Sequence, residues 1–359
     1  YMRRVNAMNI SFAKLGEEEC DVCAALKNSP DHVPPIVDDK CSNERCQACL
    51  SLAAHLEQAK RSREAYKNDG ESVKPGTIVR SVDLQKVVML PRLPGFKAAC
   101  FTRRLVGFHH TFAPVGSYTT SNKVESVVWH EGTSGRKCED IASAVMMALE
   151  KDRDFKTILY YMDNCTGQNK NYALYTAIID KVNSANIQAD TITLKYLQAG
   201  HTFMSADSFH ARTEKEMKRR VNVYDFDDFV ECIKTAGADV IVPSYGDFRC
   251  FVGEDSKAKL AKPGRPKLAD VSVAQFRRGS RMVHYKVDHT DPEFREFDYL
   301  LSKHKLNTLP AGRTKPRGIS EDKKSGIIQN LCTLMPVTRT AFWDNIAVGS
   351  ENDLVESRL

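Results

Sequence analysis

The order of apolar and polar segments after position 76 predicts an α/β protein. Five segments have the pattern of strands, in chain order TIVRSVDLQKVVML, ACFTRRLVGFHHTFAP, KVESVVWHEG, FKTILYYMD and DTITLKYLQ. Three segments have helical periodicity, namely CEDIASAVMMALEKD, YALYTAIIDKVNSA and SADSFHARTEKEMKRR. The resulting order, β-β-β-α-β-α-β-α, predicts three antiparallel strands followed by parallel strands that helices connect.

A turn around Pro75 and Gly76 divides this α/β region from an N-terminal region. Residues 1–75 are rich in cysteine and end in a long amphipathic helix, so we predict a cysteine-rich helical module there. Residues 76–240 form the predicted α/β core. Residues 241–359 form a predicted C-terminal extension that contains basic segments and a closing helix.

Composition narrows the class of protein. The chain has 359 residues, of which 42% are hydrophobic and 27% are charged, as is typical of globular proteins. Its apolar runs are far shorter than the roughly 20 residues of a membrane span. The first residues, YMRRVNAM, lack the apolar stretch of a secretory signal and an initial Met. We therefore expect an intracellular fragment or processed form with no membrane association.

Positive charge is concentrated in the last third of a chain whose net charge is +6. This balance permits a polyanionic partner without requiring one. The segment KPGRPK places Arg265 in the Gly-Arg-Pro core of minor-groove AT-hooks, but it lacks the usual Arg before the Gly, so the sequence favours an exposed loop. Arg277 and Arg278 could line a nucleic-acid backbone, and the same segment also fits an amphipathic strand.

Cysteines indicate a zinc site near the N-terminus. Six of the eleven are scattered singly, as expected of reduced thiols inside a cell, and five lie within residues 20–49. Two of these five form one C-x-x-C pair and two form another, a spacing typical of structural Zn²⁺. The predicted ligands are Cys20, Cys23, Cys46 and Cys49. Cys41 or His55 could replace one of them, His32 is a more distant candidate, and disulfides are the alternative.

Four acidic residues occupy positions at which a fold could bring them together. Asp83 lies in the first strand segment, Asp163 ends the fourth, Asp207 begins the third helix and Glu139 lies on the first helix. The predicted element order is that of the RNase H-like fold, whose chemistry requires carboxylates around two Mg²⁺ or Mn²⁺ ions at a phosphodiester. For each acid the alternative is a helix cap, a first-turn position or an exposed strand position.

The segment YYMDNCTGQNKN, residues 160–171, places several amides between a strand and a helix. Ligands of α/β proteins bind at such junctions. We expect Asn164, Gln168 and Asn169 to donate hydrogen bonds to phosphates of the cleaved strand or to metal-bound waters. The alternative is a structural network of amides that closes the turn.

These motifs resemble a widespread eukaryotic family of transposon-derived proteins that carry a DDE-type, RNase H-like transposase domain. The resemblance covers roughly residues 15–345 and is carried by DNCTGQNKN, SVDLQKVVMLP, WHEGTSGRKCEDIASA, GHTFMSADSFHA and KPRGISEDKKSGIIQNLCTLMPVTRTAFW. It implies cleavage and strand transfer of DNA, with Asp83, Asp163 and Asp207 as metal ligands and Glu139 as an additional acid.

The third acid departs from the family pattern because it is not a Glu. His201 and His210 flank Asp207, and either could bind Mn²⁺ or Zn²⁺, move a proton, contact phosphate or be structural. The sequence thus predicts a nuclear transposase, or a domesticated descendant, with transposon ends and target DNA as partners and a homo-oligomeric assembly. The alternatives are a non-enzymatic DNA-binding protein and a zinc-stabilised module for protein interaction.

Overall fold

A computed structural model describes residues 20–32, 41, 45–116, 122–252, 265–302, 304–306 and 309–349. Ten strands within these ranges form one mixed sheet. The strands are β1 (Thr77–Leu84), β2 (Val88–Leu90), β3 (Leu105–Pro114), β4 (Val124–His130), β5 (Thr157–Met162), β6 (Thr191–Tyr196), β7 (Ala238–Ile241), β8 (Val273–Arg277), β9 (Val283–Lys286) and β10 (Arg295–Phe297). The α/β class and the predicted mixed sheet are confirmed.

Nine α-helices are present in the same ranges. They are α1 (Asp21–Lys27), α2 (Gln47–Glu71), α3 (Lys97–Phe101), α4 (Cys138–Lys151), α5 (Tyr172–Val182), α6 (Ser205–Arg220), α7 (Phe226–Thr235), α8 (Glu321–Asn330) and α9 (Thr340–Asn345). Within the described ranges, none of these helices has the length and apolar character that crossing a membrane requires.

The strands are arranged in the order β10-β9-β8-β6-β5-β1-β3-β4-β7, with β2 paired to β3. Strand β1 is antiparallel to β3, and β3 is antiparallel to β4. Strands β5 and β6 run parallel to β1, as the intervening helices predict. The C-terminal strands β8, β9 and β10 extend this sheet by antiparallel pairing that begins at β6.

Two hydrophobic layers cover the sheet because successive strand residues point to opposite faces. In β4, Val127 and Trp129 pack in the layer that contains α4 and α5, whereas Val128 packs in the layer that contains α6 and α7. In β1, Ile78 and Val82 face the α4 and α5 side. The alternate residues of β1, Asp83 among them, therefore face α6.

The first two predicted strands are shorter than the sequence pattern suggests. The first segment is interrupted after Gln85, whose backbone N–H still donates to the His109 carbonyl of β3, and pairing with β3 resumes at Val88 as β2. The buried Gln85 side chain lies 2.7 Å from Nδ1 of His109. The second segment is helical over Lys97–Phe101 before β3 begins at Leu105. Periodicity alone does not detect such breaks, since tertiary hydrogen bonds decide them.

The long helix α2 packs against the core. The Arg61 guanidinium donates to both carboxylate oxygens of Asp288, at 3.1 Å and 2.8 Å. Near the other end of the helix, the Asp69 carboxylate accepts hydrogen bonds from Tyr161 and Lys195, each 2.5 Å long. The N-terminal module is thus joined to β5, β6 and the loop that follows β9.

A buried ion pair joins β1 to the end of α4. The Arg80 guanidinium donates two 2.8 Å hydrogen bonds to the Asp152 carboxylate, and Tyr160 donates a third at 2.7 Å. The side chains of Arg80 and Asp152 are 3% and 1% exposed. Removing one partner would leave the other charge buried without compensation.

We expect Asp152→Ala to lower the free energy of unfolding by about 3–5 kcal/mol, the usual cost of an isolated buried charge. Urea unfolding followed by circular dichroism measures this loss. Asp154→Ala is the matched control, because the Arg153–Asp154 pair is 60% and 73% exposed and its loss should change stability by less than about 0.5 kcal/mol. Equal effects of the two substitutions would contradict the prediction.

Candidate metal centres

Asp83 and Asp163 lie side by side at the carboxyl ends of two neighbouring strands. Strands β1 and β5 are parallel, and Val82 is paired with Met162 in their register. The next residue of each strand is an aspartate, and both carboxylates point to the face of the sheet that α6 covers. The central strands therefore bring together two acids that are 80 positions apart in the chain, from residue 83 to residue 163.

Helix α6 supplies two further polar groups to this point. Its first turn is fixed on β1, because the Ser81 hydroxyl lies 2.7 Å from the Ser205 hydroxyl and accepts a 3.0 Å hydrogen bond from the Ala206 N–H. Asp207 and His210 follow three residues apart on one face of the helix. Ligand atoms of Asp83, Asp207 and His210 lie within 4.8 Å of one another.

His210 is held in a defined orientation. Its Nδ1 lies 3.5 Å from an Asp83 carboxylate oxygen, and its Nε2 lies 3.0 Å from the Thr111 hydroxyl. The Thr111 hydroxyl lies 2.9 Å from Nε2 of the buried His109. Burial lowers the pKa of His210 to about 3, so the ring is neutral at pH 7. A neutral ring that donates from Nε2 to Thr111 presents the Nδ1 lone pair to the carboxylates, as metal-binding histidines do.

The carboxylates disfavour one another's charge. Burial, together with the negative charges of Asp207 and Asp163, raises the pKa of Asp83 well above its usual value. Burial also raises the pKa of Asp163, although the Cys165 N–H, the Asn169 amide and the Lys170 charge oppose this shift. A bound divalent cation would reverse the repulsion, because an opposite charge favours the ionised form of every carboxylate in contact with it.

The amides after β5 divide into two groups. The structure corrects the expectation for Asn169, whose buried side chain donates a short hydrogen bond to Oδ1 of Asp163 instead of facing a ligand. Asn171 caps α5 by accepting a 2.9 Å hydrogen bond from the Leu174 N–H. The half-buried side chains of Asn164 and Gln168 make no hydrogen bond to another residue in the described ranges. The prediction that these two amides contact a ligand therefore stays open to test.

Glu139 serves a different purpose from the predicted one. Its carboxylate accepts hydrogen bonds from the backbone N–H groups of Phe251 and Val252, at 2.7 Å and 3.0 Å. It is not part of the cluster formed by the ligand atoms of Asp83, Asp207 and His210. The structure corrects the expectation of a catalytic Glu139, because the residue anchors the segment that follows β7.

The predicted basic contacts are used inside the protein. Arg278 donates to the carbonyls of residues 184, 187 and 189, and so holds the loop before β6. Arg277 lies over the ring of Phe294 and donates to the side chain of Gln275 at 2.8 Å. The Arg265 guanidinium lies 5.9 Å from the centre of the Tyr172 ring. Arg277 is half-buried and Arg278 is exposed, so contact of these two residues with DNA stays a prediction. Residues 262–264 of the AT-hook-like segment lie outside the described residues.

One cluster of cysteine and histidine can bind a structural metal ion. It consists of His32, Cys41, Cys46 and Cys49. Nδ1 of His32 lies 3.5 Å and 3.6 Å from the sulfur atoms of Cys46 and Cys49, and the sulfurs of Cys41 and Cys49 are 3.6 Å apart. Ligands of tetrahedral zinc lie about 3.3–3.8 Å apart, given zinc–sulfur and zinc–nitrogen bonds of roughly 2.3 Å and 2.0 Å. Nε2 of His32 donates to the Leu26 carbonyl at 2.7 Å, which fixes the ring.

The other two predicted zinc ligands lie in a second cluster. Cys20 and Cys23 meet His55 and His201, with ligand atoms again within 4.8 Å of one another. The structure thus divides the predicted set of four cysteines between two clusters, because each C-x-x-C pair meets histidines from elsewhere. His201, which the sequence placed beside Asp207 as a possible ligand, belongs to this second cluster and not to the acidic one. The N-terminal module offers seven ligands, namely five cysteines with His32 and His55. Two tetrahedral sites need eight ligands, so the sequence alone indicated that an eighth ligand, here His201, must come from outside the module.

Comparisons of the chain with protein-family models, with curated proteins and with solved structures find no match in any of the three. Within the part of the chain that the structure describes, three groups of side chains could hold a metal ion. They are the acidic cluster at the ends of β1 and β5 and the two clusters of cysteine and histidine.

We expect Asp83→Asn to stabilise the protein at pH 7 in buffer free of Mg²⁺ and Mn²⁺, with zinc retained. The folded-state pKa of Asp83 is raised above the unfolded value near 3.8, so its contribution to stability is present below that pH and is lost as pH rises through the folded pKa. The substitution removes this loss and should raise the free energy of unfolding by about 0.5–2 kcal/mol. Urea unfolding at pH 4 and pH 7 measures the difference, which should shrink at the lower pH.

Asp190→Asn is the matched control for this measurement. Asp190 is exposed and precedes β6, at the opposite end of the sheet from the acidic cluster. Its substitution should change stability by less than about 0.5 kcal/mol at both pH values. A lower stability of Asp83→Asn than of the wild type at pH 7 would show that the Asp83 carboxylate is not under repulsion.

Proposed function

We propose that this chain is a metal-dependent enzyme that cleaves DNA and transfers the cleaved strand, of the kind represented by DDE-type transposases, or a domesticated descendant of one. The observation that carries the proposal is the cluster of Asp83, Asp207 and His210, whose ligand atoms lie within 4.8 Å of one another. Asp163 follows the neighbouring strand, and its charge helps to raise the pKa of Asp83. Half-buried carboxylates that repel one another fit a site whose resting partner is a divalent cation.

The arrangement of the sheet supports an RNase H-like core. Strand β1 lies between β3 and β5, with the antiparallel pair β3 and β4 on one side and the parallel strands β5 and β6 on the other. The three acids come from the first strand, the end of the strand that follows α4, and the helix that follows β6. This is the distribution of carboxylates that the sequence motifs imply for the transposase family.

The donor set fits Mg²⁺ or Mn²⁺. Three carboxylates supply the hard oxygen ligands that both ions prefer. Asp83, Asp207 and His210 would hold one ion, and Asp83 with Asp163 would hold the other. The imidazole of His210 is a softer ligand than a carboxylate, so the site should favour Mn²⁺. Ions bound there would activate the attacking oxygen and stabilise the leaving oxygen of a phosphodiester.

Residues around the acids support a polyanionic substrate. Lys86 is exposed three positions after Asp83, and Asn164 and Gln168 offer amide donors beside Asp163. Burial lowers the pKa of Lys170 to about 8, and this lysine lies close enough to Asp163 and Asp270 for their charges to oppose that shift. Lys170 is itself buried and donates to the Ala269 carbonyl, so the two amides would orient a phosphate near Asp163, while Asn169 keeps that carboxylate in position. The DNA would be a transposon end or a target site in the nucleus.

The alternative of a non-enzymatic DNA-binding protein receives less support. It assigns DNA binding to the basic C-terminal segments, yet Arg277, Arg278 and Arg281 are used in internal contacts. It also provides no reason for three acids to lie together in a partly buried site. We therefore place the active site at the acidic cluster.

We expect the wild-type protein to bind Mn²⁺ more tightly than Mg²⁺, because His210 is a softer ligand than a carboxylate. We expect Asp163→Asn to bind either ion at least about 10-fold more weakly than the wild type, because one carboxylate ligand is lost. Isothermal titration calorimetry with zinc left in place measures both affinities. Asp190→Asn, which removes an exposed carboxylate at the far end of the sheet, should bind as the wild type does.

Nicking of supercoiled DNA in Mn²⁺ then tests catalysis with the same three proteins. Activity in the wild type and in Asp190→Asn, with its loss in Asp163→Asn, is the expected pattern. Equal and weak metal binding by all three proteins would overturn the proposal. DNA binding that survives without divalent metal and in Asp163→Asn would then support the non-enzymatic alternative.

A further inference from the structure

We propose that Cys20, Cys23, His55 and His201 bind a second Zn²⁺ ion that holds the N-terminal module against the segment leading into α6. His201 is then a positioning residue for Asp207 and not a group that touches the substrate. The cluster is separate from the one that His32 and the last three cysteines of the module form.

The distances within the cluster are those of a tetrahedral zinc site. The Cys20 sulfur lies 3.4 Å from Nε2 of His55, and the Cys23 sulfur lies 3.4 Å from Nε2 of His201. A sulfur and a nitrogen bound to the same zinc ion lie about 3.6 Å apart. Cys20 is 6% exposed and His55 is 9% exposed, so half of the ligand set is shielded from water.

Residues around the ligands are arranged to support the ion. The Gln198 amide nitrogen lies 3.0 Å from Nδ1 of His55. A half-turn of this amide would place its oxygen there, where it accepts a hydrogen bond from the Nδ1–H when Nε2 binds metal. Gly200 has φ +78°, and a Cβ at this position would overlap the sulfur of Cys20. The chain thus places a glycine where the backbone of residues 199–200 must approach a thiolate closely.

The ligands join two distant parts of the chain. Three of them belong to the N-terminal module, whereas His201 follows β6, and Cys23 and His201 are 178 positions apart. The same module contacts the segment again at its far end. The Tyr66 hydroxyl, on α2, accepts a 3.0 Å hydrogen bond from the Ser205 N–H and lies 3.1 Å from the Ser205 hydroxyl.

Residues 198–205 are therefore fixed at both ends by the N-terminal module. Asp207 is two residues beyond Ser205, in the first turn of α6. The position of Asp207 relative to Asp83 thus depends on these contacts with the N-terminal module, in addition to the contacts that Ser81 makes with Ser205 and Ala206. This consequence rests on the proposed function, since it assigns Asp207 to the divalent-metal site. The zinc site itself does not depend on that assignment.

Zinc content of the full chain tests the site directly. We expect two zinc ions per wild-type chain by inductively coupled plasma mass spectrometry after dialysis against a weak chelator. His201→Ala and Cys49→Ser should each retain one ion, because each substitution disables a different cluster. His201→Cys should retain two, because a thiolate can replace the imidazole as a ligand. Two ions in His201→Ala, or a single ion in the wild type, would overturn the proposal.

Hydrogen exchange of residues 198–205 tests the positioning role. We expect faster amide exchange in His201→Ala and in Gly200→Ala than in the wild type, and wild-type exchange in His201→Cys. Gly279→Ala is a matched control for Gly200→Ala, because Gly279 also has φ +78° but has open space around it. Cys49→Ser controls for loss of the other zinc ion and should leave this segment unchanged. Unchanged exchange in His201→Ala would overturn the positioning role.

Calorimetry with Mn²⁺ separates this proposal from the proposed function. We expect His201→Ala to bind Mn²⁺ about 10-fold more weakly than the wild type, the usual effect of losing a group that orients metal ligands. Equal Mn²⁺ affinity in a variant that has lost its zinc would refute the link to Asp207. If the wild type binds no Mn²⁺ but zinc content and exchange behave as expected, the zinc site stands and the proposed function fails.

Discussion

The parallel, in-register pairing of β1 with β5 is the constraint on which the position of the acidic residues depends. Asp83 and Asp163 are adjacent because their strands are parallel and in register, and Asp207 is added by a helix fixed on β1 through Ser81. Burial makes this arrangement costly without a cation. Local arrangements that lower the stability of a protein are common at functional sites, because binding and catalysis require side chains in environments that are not the most stable ones for them.

Hydrogen bonds from neighbouring residues hold the acidic side chains and His210 in defined orientations. Asn169 donates to Asp163, Thr111 and His109 orient His210, and Tyr196 donates to the backbone carbonyl of Asn169 at 2.8 Å. Each contact restricts the rotation of a potential ligand before any ion arrives. Preorganisation of this kind reduces the entropy that must be lost on binding and the reorganisation that must accompany a reaction.

Much of the fold was predictable from the sequence, because apolar periodicity reports which face of an element is buried. The five strands and three helices of the core, and the acids at their ends, followed from that pattern. The roles of long polar side chains did not. Arg278 and Glu139 look like surface residues in a sequence, and only the packed structure shows the backbone groups that they bind. His201 had no local signal for zinc, because its partners Cys20, Cys23 and His55 lie in the N-terminal module, on the far side of β1 to β6 in the chain.

The separation between Cys23 and His201 has a consequence for how the chain acquires its structure. Synthesis proceeds from the N-terminus, and domains generally begin to fold in that order. The ligand set of Cys20, Cys23 and His55 must wait for residue 201, and therefore for β1 through β6, before it is complete. The module that is made first can thus be completed only after the first six strands have been synthesised. In the proposed zinc site, a chain truncated before residue 201 would present two thiolates and one imidazole and would lack the fourth ligand.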